Sequence, residues 1–322
     1  MATWDRSSGQ SEADRLALAI DRVNPLSWLG RLSESRGWAW FLLLPTMVLL
    51  TLIVVYPTLY GIALSFQDVR LLRPDAGGFV GLRHYQDMLD DPIFWLSLRN
   101  TVVWVVLACL LELGLGLASA VALDRALPGL KVATVLILLP WFLPKVVAGN
   151  MWALMLDSRL GVLNDTLVRL GFLDQYKAWF ADPSTALVTA VVVESWHSFP
   201  FFTLLLIAAL RGIPDEMHQA AAVDGATAIQ RFWHIPLPML KVVIVAAVVL
   251  RVIGLVNSPD LLLILTSGGP GHATMVLSLY AFETAYRGFD FGYAGALAVV
   301  MLLLLMVFAW AYVRVSGVMA RQ

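Results

Sequence analysis

No charged side chain lies between Arg36 and Asp68, and that gap is long enough for a helix to cross a bilayer. A hydrocarbon core of about 30 Å needs roughly 20 apolar residues in helical form. Six runs meet this requirement: Trp38 to Ile62, Asn100 to Leu123, Val132 to Leu156, Ala186 to Leu210, Val242 to Leu265 and Phe291 to Val313. Lipid cannot satisfy exposed backbone groups, and the runs lack the alternation of barrel strands, so the pattern predicts a bundle of six spanning helices. Composition agrees, with 59% hydrophobic and 14% charged residues, against roughly half and a quarter in a soluble domain. The first run follows a polar tail, exceeds a signal-peptide core of about 7 to 15 residues and lacks a small-residue cleavage site, so it is expected to be retained.

The expected division is an N-terminal tail, residues 1–37, and one membrane domain, residues 38–322, which includes a polar loop over 211–238. In the tail, Ser11 and Asp14 have capping spacing and Leu16, Ile20 and Val23 recur at helical intervals before Pro25. That pattern suits either an interfacial helix or a solvated segment. Basic residues near the span ends slightly favour an inside N-terminus and, with six spans, an inside C-terminus. The net charge of −1 supplies no field for nucleic acid. The single cysteine, Cys109, sits in an apolar run and reads as a packing residue. No spacing of His, Cys, Asp or Glu supports a metal site.

The loop from Arg211 to Pro238 is too polar for lipid. Pro214 can open a short helix with Asp215 and Glu216 in its positively polarised first turn, and Gly225 supplies a stop. A second short helix then ends before Pro236. Ala220, Ala221 and Ala222 make one side small enough for close approach by another protein.

This loop resembles the cytoplasmic coupling loop of bacterial ABC importer permeases. The family pattern is Glu-Ala-Ala, three residues, Gly, and then Ile-x-Leu-Pro. Here Gln219, Ala220, Ala221, Asp224, Gly225, Ala226, Ile235, Leu237 and Pro238 stand at matching spacing, with Gln219 in place of the usual Glu. The resemblance implies that Glu216, Gln219, Ala220, Ala221, Asp224, Gly225 and Ala226 meet an ATPase subunit. Other segments resemble the sugar-importer branch. These are Phe79, Val80, Gly81, Leu82 and Tyr85; Arg99, Asn100 and Thr101; Leu139, Pro140, Trp141, Pro144 and Gly149; Leu265, Thr266, Gly268, Gly269, Pro270 and Thr274; and Phe289 to Ala294. The implied fold is an all-α membrane protein, the six-helix type I ABC importer permease, with both termini cytoplasmic.

The resemblance also implies the partners: a second permease subunit, two ATP-binding subunits and an extracytoplasmic solute-binding protein, in a bacterial inner membrane. The chain has no Gly-x-x-x-x-Gly-Lys-Ser/Thr loop, so ATP and Mg²⁺ are assigned to partner subunits, and the chain is read as carrying no cofactor and no enzymatic activity. The implied solute is carbohydrate-like, with neutral oligosaccharides, polyols, acidic oligosaccharides and glycerol phosphates all open.

Five ionisable residues fall inside spans: Glu112, Lys145, Glu194, Arg251 and Asp260. An unpaired charge at the bilayer centre costs at least about 2.5 kcal/mol, so each requires a partner, a wet cavity or a role. Depth along antiparallel helices pairs Glu112 with Lys145 and Glu194 with Arg251. The candidate solute pathway is Glu194, His197, Ser198, Phe201, Arg251, Asn257 and Asp260, where charged groups can bind hydroxyls and Phe201 or Trp196 can offer an apolar face. A second buried ion pair is the alternative. His197 reads as a hydrogen-bonded packing residue, since the span has no other histidine. Pro259 is expected to unwind the outer part of the fifth span. An ion-coupled secondary transporter is the competing function, with the carboxylates as coupling sites. A membrane-embedded enzyme lacks a nucleophile and base at usable spacing.

Overall fold

The computed structural model describes residues 36–73, 77–124 and 129–317. The expected tail helix around Ser11 to Val23 lies outside them. The chain divides at residue 61 into two units. The described part of the first is a helix, α1 (Arg36–Leu50), which passes through a π-helical stretch, Thr51–Val55, into α2 (Tyr56–Leu64), whose residues 62–64 belong to the second. The π stretch has a local cause. Pro57 has no N–H to give the preceding turn, and the Tyr56 N–H bonds five residues back, to the Thr51 carbonyl. Every side chain from Leu42 to Tyr60 is exposed, as an apolar helix surrounded by lipid or by partner helices would be.

In the second unit the long apolar helices are α4 (Pro92–Leu123), α8 (Ala186–Leu210), α12 (Lys241–Asn257) continued by α13 (Asp260–Leu265), and α15 (Phe291–Ser316). Short helices lie between them: α3 (Arg83–Leu89), α7 (Val162–Arg169), α9 (Asp215–Val223), α10 (Ala228–His234), α11 (Pro236–Met239) and α14 (Leu277–Tyr286). Five helices are long and apolar enough to span, α2 with part of α1 among them, and a bent pair counts as a sixth if its two halves make one span. The described residues form no strand, only isolated bridges Gln67 to Phe79 and Arg70 to Asp290.

Two boundaries differ from the sequence expectation. The second span starts at Pro92 instead of Asn100, because Asp91 caps it. The Asp91 Oδ1 accepts the Ile93 N–H at 2.8 Å, and Pro92 occupies the first turn, where its missing N–H costs nothing. The third span, expected as one run from Val132 to Leu156, is two helices, α5 (Leu130–Phe142) and α6 (Lys145–Met155), bent by 98°. Pro144 is the reason. It disfavours the helical region for Leu143, whose ψ is 135°, and has no N–H for the ladder. The fifth span breaks at Ser258 and Pro259, where Ser258 has ψ 94°.

The core forms where α4 and α8 pack along their lengths, around buried Trp104, Ala108, Val193, Phe202 and Leu206. Gly116 makes this approach possible, since a Cβ there would lie 2.4 Å from the Phe202 Cβ. Motif segments far apart in sequence meet at one end. The Asn100 Nδ2 donates to the carbonyls of His272 and Met275 at 3.1 and 3.0 Å, and the Leu277 N–H donates to the Thr101 Oγ1 at 2.9 Å. Asp91 accepts hydroxyl bonds from Tyr280 at 2.6 Å and Tyr293 at 2.7 Å. These bonds pin the 266–277 loop and α14 to the start of α4.

Candidate functional site

Two features carry chemistry: a cluster of charges inside the bundle and a pair of short helices on its surface. In the cluster Arg251 of α12 is the hub. Its Nε donates to the Glu112 Oε2, and its Nη2 donates to the Glu112 Oε1 at 2.7 Å and to the Glu194 Oε1. The two carboxylates come from α4 and α8, and Glu112 is fully buried, with Glu194 almost so. Lys145, the first residue of α6, lies 3.7 Å from the Glu194 Oε1. Two acids and two bases thus cancel in a region of low dielectric, the usual condition for keeping charge there.

The pairing differs from that expected from depth. Glu112 binds Arg251, not Lys145, and Glu194 is shared between Arg251 and Lys145. Geometry explains the exchange, because the planar guanidinium fork can serve two carboxylates while an ammonium is a point charge. The sequence marked all four groups as needing partners but held no signal for the azimuth of each on its helix.

The remaining pathway candidates divide. Ser198 donates to the Glu194 Oε1 at 3.0 Å and so joins the cluster. The His197 Nε2–H donates to the Leu143 carbonyl at 3.0 Å, which satisfies an acceptor released by the break before Pro144. Phe201 stands apart, edge-on to Phe202 at 5.5 Å, and Trp196 meets Trp152 at 5.4 Å. Asn257 is exposed and bonds back to the Ile253 carbonyl of its own helix. Asp260 is exposed at the start of α13 and accepts from the Ser258 Oγ. Ser258, not singled out from sequence, also accepts from the Lys145 Nζ at 2.9 Å. Its neighbour Pro259 was the only available signal. Among the described residues no three His, Cys, Asp or Glu side chains converge as a metal site.

The surface pair is α9 and α10. Asp215 and Glu216 occupy the first turn of α9, as the sequence indicated. The helix stops at Gly225, whose φ of +78° is a left-handed conformation that favours glycine, and the Ala226 N–H closes on the Ala221 carbonyl at 3.0 Å. A capping box then starts α10: the Thr227 N–H donates to the Gln230 Oε1, and the Gln230 N–H donates to the Thr227 Oγ1. Glu216, Gln219, Ala220, Asp224 and Gly225 are exposed, and Ala221 and Ala226 are half-buried. Val223, Ile229 and Trp233 are exposed as well, an apolar surface outside the spans.

Beneath this pair lies a hollow of about 190 Å³, lined by Val121, Asp124, Leu210, His218, Arg231 and Phe232. Asp124, at the end of α4, stands 3.9 Å from Arg211. Burial raises its pKa above the usual carboxylate value, and Arg211 and His218 offset only part of that.

Residues 113–319 match the family described as binding-protein-dependent transport system inner membrane component. The chain is 36% identical to the sulfoquinovosyl glycerol transport system permease protein of Agrobacterium fabrum, over 94% of this chain and 98% of that protein. It is 34% identical to the trehalose/maltose transport system permease protein of Thermococcus litoralis, over 86% of this chain and 92% of that one. In fold it matches a chain of a bacterial ABC transporter involved in import of the acidic polysaccharide alginate, with TM-score 0.76 and 20% identity over 94% and 98% of the two chains. The broken spans, the neutralised charge cluster and the short surface helices are therefore features of an inner-membrane permease, and the chain belongs to the binding-protein-dependent transport system inner membrane component family.

Proposed function

We propose that this chain is one of two membrane-spanning subunits of an ATP-driven importer that moves a carbohydrate into the cell, with its tail (residues 1–37) and both termini in the cytoplasm. The observation that carries this reading is the α9–α10 pair. It is an exposed, small-residue helix-turn-helix with a fixed left-handed turn, held at the ends of α4 and α8. A rigid knob of this kind transmits motion between a docked subunit and the spans, through Glu216, Gln219, Ala220, Ala221, Asp224, Gly225 and Ala226. ATP and Mg²⁺ belong to two docked ATPase subunits, and the present chain contributes no catalysis. A solute-binding protein delivers the solute from outside.

The polar groups at the two helix breaks supply donors and acceptors suited to hydroxyls, with Glu194, His197, Ser198, Phe201, Arg251, Asn257 and Asp260 along the pathway. The names of the two relatives support a carbohydrate, and they leave room for an acidic one. An ion-coupled reading is less well supported, since Arg251 engages both buried carboxylates and neither is free to bind a coupling ion. Purification with co-encoded partners tests the proposal. An ATP-binding subunit should co-isolate, and uptake in proteoliposomes should require ATP; uptake driven by an ion gradient alone would overturn it.

A further inference from the structure

The two interrupted spans break opposite each other. Leu143 and Pro144 separate α5 from α6, and Ser258 and Pro259 separate α12 from α13. Lys145, the first residue beyond one break, donates to the Ser258 Oγ at the other at 2.9 Å, and Ser258 in turn donates to Asp260. Past the breaks the two half-helices are in direct contact. A Cβ on Gly149 of α6 would lie 2.9 Å from the Ile264 Cγ2 and 3.3 Å from the Leu261 Cδ1 of α13. Glycine there lets the backbone of one half-helix rest on side chains of the other. Each half is joined to its long partner by two non-helical residues, enough to absorb a change of direction.

We infer that α6 and α13 form one moving body in the transport cycle, with Lys145 and Gly149 as positioning residues that join the two halves. The inference rests on the reading of the chain as an importer subunit. Separation of the halves would strip the Lys145 ammonium of Ser258 and expose the seam at Gly149. The polar ends also face the right medium. The Lys145 side chain is 27% exposed, and Asn257 and Asp260 are exposed beside it. Charges inside spanning segments do not face lipid, so this end of the body fronts a wet or protein-lined passage. Lys145 also reaches Glu194 of the buried cluster, which links the position of the joined halves to α8.

A cross-link tests the joint. The ideal Gly149 Cβ lies 3.4 Å from the Ile264 Cβ, close to the usual separation of about 3.5–4.5 Å in a disulfide. In a Cys109→Ala background, Gly149→Cys with Ile264→Cys should cross-link on oxidation. The assembled complex should then transport within about twofold of its reduced form, because a body that moves as one is not hindered by a bond inside it. Uptake that stops on oxidation and returns on reduction would overturn the inference, and so would failure of the pair to cross-link.

A second arm does not depend on the cysteines. Lys145→Met keeps length but removes the donor and the charge. It should lower the ratio of solute-stimulated to basal ATP hydrolysis by about tenfold, the value of one charge-assisted hydrogen bond, at equal amounts of assembled complex. Lys145→Arg should restore most of it. An unchanged ratio in Lys145→Met would refute the role of Lys145. Formation of the 149–264 cross-link is read in this chain itself, whether or not an ATPase co-isolates, so failure of the importer assignment is seen separately from failure of the joint.

Discussion

Replacement of Arg251 by Ala removes three hydrogen bonds to two carboxylates at once. The Arg251 side chain is 12% exposed, Glu112 0% and Glu194 2%, so the carboxylates left behind are not rescued by solvent. Loss of one member of a buried pair costs about 3–5 kcal/mol. That is a large part of the margin of a folded domain, about 5–15 kcal/mol. The two acids are not equally stranded. Glu194 keeps Ser198 at 3.0 Å and Lys145 at 3.7 Å, whereas the side-chain hydrogen bonds of Glu112 go to Arg251 alone among the described residues. A second substitution therefore discriminates. Glu112→Gln in the Arg251→Ala background removes the stranded charge and leaves the Glu194–Lys145 pair, and should recover most of the lost stability. Glu194→Gln in the same background leaves Glu112 charged and Lys145 without its acid, and should recover little. Thermal midpoints and yields of the purified complex measure both. Equal recovery, or better recovery from Glu194→Gln, would refute the hub geometry. So would a loss below about 1 kcal/mol in Arg251→Ala alone, a value typical of exposed pairs.

Gly225→Val forces a β-branched side chain into φ +78°, which costs about 1–2 kcal/mol in local geometry. It should reorient α10 and reduce solute-stimulated ATP hydrolysis and uptake together while the spans still insert; wild-type coupling would refute the docking assignment. Asn100→Ala leaves the Met275 carbonyl without its side-chain donor and the His272 carbonyl with the Met275 N–H alone, at about 1–3 kcal/mol, and should raise amide exchange in the 266–277 loop before elsewhere. Asp91 gives a pH effect. Burial would raise its pKa, but hydroxyl bonds from Tyr280 and Tyr293 and the N–H groups of Ile93 and Phe94 outweigh burial and hold it below the ordinary 3.8. A carboxyl depressed on folding adds stability above its unfolded pKa and loses it as pH falls through the folded value. Asp91→Asn should therefore flatten the fall in thermal midpoint below about pH 4, and an unchanged acid limb would count against the Tyr280–Asp91–Tyr293 bonds.

Residues whose role is local were the legible ones. Pro214 and Asp215 mark the start of α9 and Gly225 ends it in a left-handed turn, chemistry contained within a few positions and therefore readable from the sequence. Pro259 likewise announced a break. The apolar count begins after Asp91 and so does not mark the start of α4, although Asp-Pro is a capping signal in its own right. By hydropathy Pro144 is one more residue in a long apolar run. Hydropathy alone does not distinguish a span from two half-helices, since both bury the same side chains in lipid.

The exchanged ion pairs have a different origin. Position along a helix gives depth at about 1.5 Å per residue, but each step also rotates the side chain by about 100°. Glu112 and Lys145 have matching depth without facing each other. Contact depends on crossing geometry, which Gly116 sets by letting α8 approach α4, and on the bend at Pro144, which carries Lys145 away from the direction of α5. Once Lys145 turns toward Ser258, Glu112 has only Arg251 left at hydrogen-bonding distance, and the guanidinium is wide enough to keep Glu194 as well. The break in the third span and the pairing of the buried charges are thus one structural fact: the proline that interrupts α5 also decides which base each acid receives.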